Sequence, residues 1–205
     1  MHFEIKLDNV LYTIHNINDI DTFLNNLKNI FSEAKKIYIY TDNVILTKNN
    51  LNFFLKSFNK LEKCSELICD SNGLIYIPDL PNCIGLDCSN NLLNILPDIP
   101  ICKNLLCFNN NLTYLPKLDL CINLSCSNNK ITLLPNLPLC KWLECNQNNL
   151  IKLQDIPKCV DLDSSNNNLT SISMDIINSL EKIKYDNNLF NNCKKHNIIL
   201  NHYFK

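Results

Sequence analysis

The chain has 205 residues, the length of one domain or one short repeat array, with a formal net charge of −1. It contains two glycines, Gly73 and Gly85, and no arginine, so glycine-rich phosphate loops, arginine fingers and forked phosphate clamps are all missing. Nineteen basic groups nearly balance twenty acids, which leaves no basic excess to attract nucleic acid or an anionic membrane. No run approaches the roughly 18 apolar residues of a membrane span, and Met1–Lys6 lacks a basic segment leading into an apolar one. The sequence predicts a soluble, cytoplasmic protein without signal peptide or transmembrane segment.

Residues 2–15 read as a hairpin: Phe3, Ile5 and Leu7 alternate, Asp8-Asn9 turns, and Leu11-Tyr12-Thr13-Ile14 returns. From Asp19 to about Ala34, Ile20, Phe23, Leu24, Leu27, Ile30 and Phe31 recur at helical spacing, with Asn18 or Asp19 as N-cap. Tyr38-x-Tyr40-x-x-Asn43-x-Ile45 then matches the core of the repeat that follows, as a degenerate first coil. Residues 50–62, with Leu51, Phe54, Leu55, Phe58 and Leu61, read as a second amphipathic helix on the convex side. An array's end coil cannot bury its own apolar face, so residues 1–62 are expected to form an amino-terminal cap with the degenerate first repeat.

The twelve cysteines stand at 64, 69, 83, 88, 102, 107, 121, 126, 140, 145, 159 and 193, and the first eleven alternate intervals of 5 and 14, a period of 19. A fixed period of this length means stacked coils. Two blocks are Cys83-Ile-Gly-Leu86-Asp-Cys88-Ser-Asn-Asn91-Leu-Leu93 and Cys102-Lys-Asn-Leu105-Leu-Cys107-Phe-Asn-Asn110-Asn-Leu112. Two more run from Cys121 through Leu124, Cys126 and Asn129 to Ile131, and from Cys140 through Leu143, Cys145 and Asn148 to Leu150. Weaker copies begin at Cys64, at Cys159 and, through Leu180, Ile183, Tyr185, Asn188 and Phe190, at the far end. Positions 4 and 6 alternate with polar residues, as in a short strand with one buried face. Coils stacked at about 4.8 Å make these strands a parallel sheet. At position 9 the chain leaves the strand, and an Asn side chain can both donate to and accept from the turn's backbone. Asn72, Asn91, Asn110, Asn129, Asn148, Asn167 and Asn188 are therefore expected to form a buried ladder. All eight prolines fall in the second half of a repeat, mostly as L-P-x-[LI]-P, which makes that half extended or polyproline II.

The pattern L-x-x-L-x-L-x-x-N-x-L, with Cys at the first and third apolar positions, resembles the leucine-rich repeat family. The 19-residue coils and L-P-x-L-P return are similar to its compact bacterial-effector subclass. The Asn-, Ile- and Lys-rich, arginine-free composition is what an AT-rich genome encodes, and is similar to leucine-rich repeat proteins of mimivirus-like giant viruses; the host cytoplasm is then the expected location. The fold class is thus α/β: a solenoid with a parallel concave sheet, an extended convex side and a hairpin-plus-helix amino-terminal cap. Seven repeats occupy 63–190, and 191–205, with Ile198, Ile199, Leu200, Tyr203 and Phe204, form a carboxy-terminal cap. Effector ligases of the subclass carry their catalytic cysteine in a helical domain after the array, where this chain has only about fifteen residues. The resemblance implies the binding module without ligase activity.

The residues point to no catalytic, cofactor or metal site. Zinc sites commonly use C-x-x-C pairs whose ligands converge, whereas these paired cysteines have four residues between them and stand in two parallel columns. They read as reduced core thiols, each a small hydrophobe, although neighbours in one column stand near the separation a disulfide allows. Cys193-x-x-His196 with His202 offers at most three ligands, and all four histidines lie in the terminal segments. The sequons at Asn111, Asn123 and Asn168 fall inside packed coils and read as chance in a chain with 37 asparagines. What remains is the concave face, where positions 3, 5 and 7 point outward. Most are small or polar, but Leu106, Phe108 and Trp142 are large apolar residues, flanked by Asp87, Glu144, Asp161 and Asp163. Apolar anchors beside charge compose a binding hot spot, while scattered exposed apolar residues are also normal. The sequence thus predicts a non-enzymatic, monomeric module that binds a protein partner without nucleic acid or membrane. The alternatives are a structural component, for instance of a virion, and a thiol-based redox or metal-binding protein.

Overall fold

The computed structural model describes residues 3–14, 19–41 and 45–184. Asn18, Asn43, Tyr185, Asn188, Phe190, Cys193, all four histidines and the expected carboxy-terminal cap lie outside the described residues. Among the described residues one sheet of ten strands runs through the molecule, antiparallel at its amino-terminal edge and parallel from there on.

The amino-terminal part holds β1 (Phe3–Leu7), β2 (Val10–Ile14), α1 (Ile20–Glu33), β3 (Lys36–Thr41) and α2 (Ile45–Lys56). The hairpin forms as its alternation predicts: β1 pairs antiparallel with both β2 and β3. Asp8 turns it in the left-handed region at φ 51, which a short polar side chain tolerates. The Asp8 carboxylate accepts hydrogen bonds from the Lys35 and Lys36 N–H groups at 3.1 and 2.9 Å, tying the turn to the start of β3. Helix α1 turns Ile20, Leu24, Leu27 and Phe31 inward and leaves Ile30 exposed; Asp19 precedes it without a side-chain capping bond.

Two expectations for this region are corrected. In β3 the buried residues are Ile37 and Ile39, while Tyr38 is half-buried and Tyr40 exposed. Ile37 pairs with Leu67 of the first regular strand, so the core register is one residue earlier than the Tyr38/Tyr40 match implied, and Ile45 begins α2. A one-residue slip exchanges the faces of a strand, and β1 decides it by setting Ile5 opposite Ile39 and Leu7 opposite Ile37. The second helix also starts and ends earlier than expected. Leu51, Phe54, Leu55, Phe58 and Leu61 are all buried, but Phe58 and Leu61 follow the helix. Tight bonds from Ser57 and Phe58 N–H to Phe54 and Leu55 O close it, and Asn59 and Leu61 then pair through their backbones with Asp79 of the next coil. Phe31, Phe54 and Phe58 meet in one aromatic cluster with ring centroids 5.1–5.3 Å apart.

From residue 64 the coils repeat. Strands β4 (Glu66–Ile68), β5 (Gly85–Asp87), β6 (Asn104–Leu106), β7 (Asn123–Ser125), β8 (Trp142–Glu144), β9 (Asp161–Asp163) and β10 (Lys182–Lys184) pair in parallel. Leu67, Leu86, Leu105, Leu124, Leu143 and Leu162 stack in register at repeat position 4, each at most 2% exposed. Position 8 takes the left-handed conformation in six successive coils, at Ser71, Asn90, Asn109, Asn128, Gln147 and Asn166, with φ between 52 and 59°. Asparagine is among the few non-glycine types that adopt it readily, so the Asn-Asn pair at positions 8 and 9 supplies first the turn and then the clamp.

The clamp works across coils. The Asn91 amide donates to the carbonyls of Cys69, Cys88 and Ser89, and its oxygen accepts from the N–H groups of Asn72 and Leu74 in the preceding coil. Asn110, Asn129, Asn148 and Asn167 likewise donate to carbonyls of their own and the preceding coil, and their oxygens accept from the N–H groups of Leu93, Leu112, Ile131 and Leu150. Asn72, Asn91 and Asn148 are buried as expected; Asn110, Asn129 and Asn167 are half-buried. The proline-bearing returns contain no helix, whereas the proline-free return that follows β9 forms α3 (Met174–Ser179). There the Ser173 hydroxyl accepts from the Ile176 N–H, as an N-cap does.

Candidate functional site

The short strands determine what the concave face presents. With position 4 inward, positions 3 and 5 point outward, giving two columns. The first reads Glu66, Gly85, Asn104, Asn123, Trp142, Asp161 and Lys182; the second reads Ile68, Asp87, Leu106, Ser125, Glu144 and Asp163. Trp142 is 47% exposed while its neighbour Leu143 is 1% exposed, so Trp142 does face outward. Leu106 is 37% exposed, and Phe108, beyond the end of its strand, is half-buried.

Leu106 and Trp142 stand on the same face but not on adjacent strands. Leu106 lies in the second column and Trp142 in the first, two strands on, with Asn123 and Ser125 between them. Ser125 is buried and donates to Glu144 at 2.9 Å, and the Asn123 amide donates to Asn104 at 2.5 Å. The Asn123 carbonyl oxygen is buried and is the one such side-chain atom without a hydrogen-bond partner among the described residues. The acidic residues are also partly engaged. Asp87 and Asp163 each accept from the N–H and hydroxyl of a serine two residues on, Ser89 and Ser165, and Asp161 lies 3.7 Å from the Lys182 ammonium. Lys141 hangs over the Trp142 ring, 5.9 Å from its centroid.

Leu106 belongs instead to a groove of about 470 Å³ nearer the amino terminus, which it lines with Lys36, Glu66, Ile68, Gly85 and Asp87. Lys36 and Glu66 form an ion pair at 2.8 Å across its end, and the hydrogen bond and charge of Glu66 raise the Lys36 pKa. Sequence reading missed this groove because its defining feature is an absent side chain, at Gly85.

The eleven described cysteines are free, buried thiols. Those at position 1 are more than small hydrophobes: Cys64, Cys83, Cys102, Cys121, Cys140 and Cys159 each donate to the carbonyl two residues on, at 3.0–3.4 Å. A leucine at that position could not make this bond. Burial pushes Cys102 and Cys140 up to about 12 and Cys159 to about 11. The same desolvation holds Cys69, Cys88, Cys107 and Cys145 well above the ordinary thiol value. A thiol kept protonated is a poor nucleophile and metal ligand. No three His, Cys, Asp or Glu side chains among the described residues converge as a metal set, and no helix among them is long and apolar enough to cross a membrane.

No family model matches this sequence, and no curated protein matches it. Among solved structures the chain is similar to YopM from Yersinia enterocolitica, at 24% identity and a TM-score of 0.50, covering 60% of this chain and 38% of that one. It is also similar to YopM from Yersinia pestis, a leucine-rich effector protein, at 20% identity and a TM-score of 0.51, covering 84% of this chain and 60% of that one. The chain thus spans less than two thirds of either structure's length. Stacked parallel strands, the 19-residue period and this likeness in fold agree: the chain is built as a leucine-rich repeat solenoid.

Proposed function

We propose that this protein is a non-enzymatic interaction module that binds a protein partner on its concave face, as a monomer and without cofactor, in the cytoplasm. Residues 63–190 form the binding array, with 1–62 and 191–205 as its caps. The carrying observation is Trp142, the chain's single tryptophan, 47% exposed on a strand whose inward neighbours are fully packed. Tryptophan is enriched in binding hot spots. Asp161 in its own column and Glu144 two residues on supply negative charge, which favours a partner with Lys or Arg near an exposed apolar side chain. Proximity labelling in the native cell identifies the partner, and Trp142→Ala tests the face: binding should weaken by about 2 kcal/mol or more with folding intact. A partner retained at full affinity by both Trp142→Ala and Leu106→Ala rejects the concave face.

A second reading, a structural or assembly component, draws on a different surface. Ile95, Tyr114 and Leu133 occupy repeat position 13 in three successive coils, and Ile75 and Ile151 flank them at position 12, each 44–58% exposed. Sedimentation across a concentration series separates the two readings. Self-association abolished by Tyr114→Lys favours assembly, and a monomer at every concentration favours the concave-face module.

A further inference from the structure

We propose that the groove over Gly85 is a pocket for a lysine side chain of the protein partner, an inference that rests on the concave-face reading and gives it a chemistry. The starting point is that nothing in the fold requires glycine at this position. Of the two glycines only Gly73 has a positive φ, 63°. A Cβ placed on Gly85 would meet nothing closer than the Glu66 Cγ at 3.9 Å, ordinary van der Waals contact. Every other described coil carries a side chain there, from Glu66 and Asn104 through Asn123, Trp142 and Asp161 to Lys182. What the missing side chain does is open the concave surface, leaving about 470 Å³, room for a long side chain together with its flanking backbone.

The walls select the occupant. Asp87 lies between Ile68 and Leu106 in the adjacent column, a carboxylate with an aliphatic side chain on either side. An unbranched stem can lie along Ile68 and Leu106 while its charged end reaches Asp87, the way lysine partitions methylenes from ammonium. Lys36, the cation among the described residues that line the groove, is held by Glu66 at 2.8 Å, so it leaves Asp87 to the incoming charge. Asp87 Oδ1 accepts from the Ser89 N–H and hydroxyl at 3.1 and 2.7 Å, and its Oδ2 has no donor among the described residues. One free oxygen suits the point charge of an ammonium better than the two-pronged guanidinium, which pairs best with both oxygens of a carboxylate.

The test uses the full chain and pools of short randomised peptides with one position fixed as lysine, arginine, acetyl-lysine or norleucine. Wild-type protein should bind the lysine pool about tenfold more tightly than the norleucine pool, with acetyl-lysine behaving like norleucine and arginine in between. Asp87→Asn should bring the lysine-to-norleucine ratio near one. Gly85→Met should weaken the lysine pool about tenfold with an unchanged melting temperature, and Gly85→Ala, which adds only the tolerated Cβ, should do so less. Trp142→Ala should weaken every pool and keep the ratio. A wild-type ratio near one, or one that survives both Asp87→Asn and Gly85→Met, overturns the pocket while a Trp142 effect keeps the concave face. Pools that bind wild type but ignore all these variants overturn both, as does the failure of every pool to bind.

Discussion

The array and the amino-terminal region share one sheet but are held together differently. In the array each coil joins the next through the same few contacts: one asparagine clamp, one stacked leucine, a left-handed residue at position 8 and, in the five coils from Cys64 to Cys145, two buried thiols. The described residues before 64 have no cysteine, and rely on a pinned hairpin, two helices and the Phe31–Phe54–Phe58 cluster. Repetition makes the array's stability a sum of similar increments, whereas the amino-terminal region depends on single, irreplaceable contacts. The two should therefore fail under different insults.

Alkali should separate them most strongly. Ten array thiols have pKa values raised in the folded chain, in nearly every case chiefly by burial. The folded state therefore keeps protons that the unfolded chain releases above about pH 8.5. Their contribution is complete below that value and falls as pH rises towards the folded values, about 11 at Cys159 and about 12 at Cys102 and Cys140. With ten thiols acting in the same direction, the loss above that onset is large against the whole stability of an ordinary domain, about 5–15 kcal/mol. Denaturant midpoints followed by Trp142 fluorescence should be level from pH 7 to 8 and collapse by about pH 10. A midpoint unchanged to pH 10 contradicts the buried-thiol array.

Phe31→Ala, which removes one of three mutually packed rings, should cost about 3–5 kcal/mol in denaturant unfolding and act on the amino-terminal region first. Far-ultraviolet circular dichroism, dominated by α1 and α2, should then change before Trp142 fluorescence; coincident transitions at all denaturant concentrations mean that the two regions unfold as one. Asn91→Ala leaves buried carbonyls and N–H groups of two coils without partners, so about 3 kcal/mol is expected. Asn129→Ala makes the same cut at a half-buried site where water can substitute, and should cost about 1–2 kcal/mol. Equal losses at the two positions would show that burial does not grade the ladder. Trp142→Ala should change the unfolding free energy least, within about 0.5 kcal/mol, because an outward concave side chain holds no core residue in place.

The same contrast explains what could be read in advance. In the array one weak pattern recurs from Cys64 onward, so each coil corrects the reading of its neighbours, and the inward leucines, ladder asparagines and outward Trp142 follow from the period. The amino-terminal region offers one copy of everything. Lys36–Thr41 alternates Ile37/Ile39 with Tyr38/Tyr40, and either pair is apolar enough to face the core. Burying a tyrosine requires a partner for its hydroxyl, and the pairing of Ile5 and Leu7 opposite Ile39 and Ile37 settles the face, a contact between segments some thirty residues apart.

Periodicity by itself therefore determined the solenoid, the direction of most array side chains and the asparagine that closes each turn, because those depend only on distance along the chain and on what a strand's two faces need. Tertiary structure alone decided the register of β3, the hydrogen bonds from position-1 thiols to strand carbonyls, and the division of the concave face into a Leu106 groove and a separate Trp142 surface. Those depend on which atoms meet across coils. A side chain that is absent, as at Gly85, shapes the surface only once its neighbours stand around it.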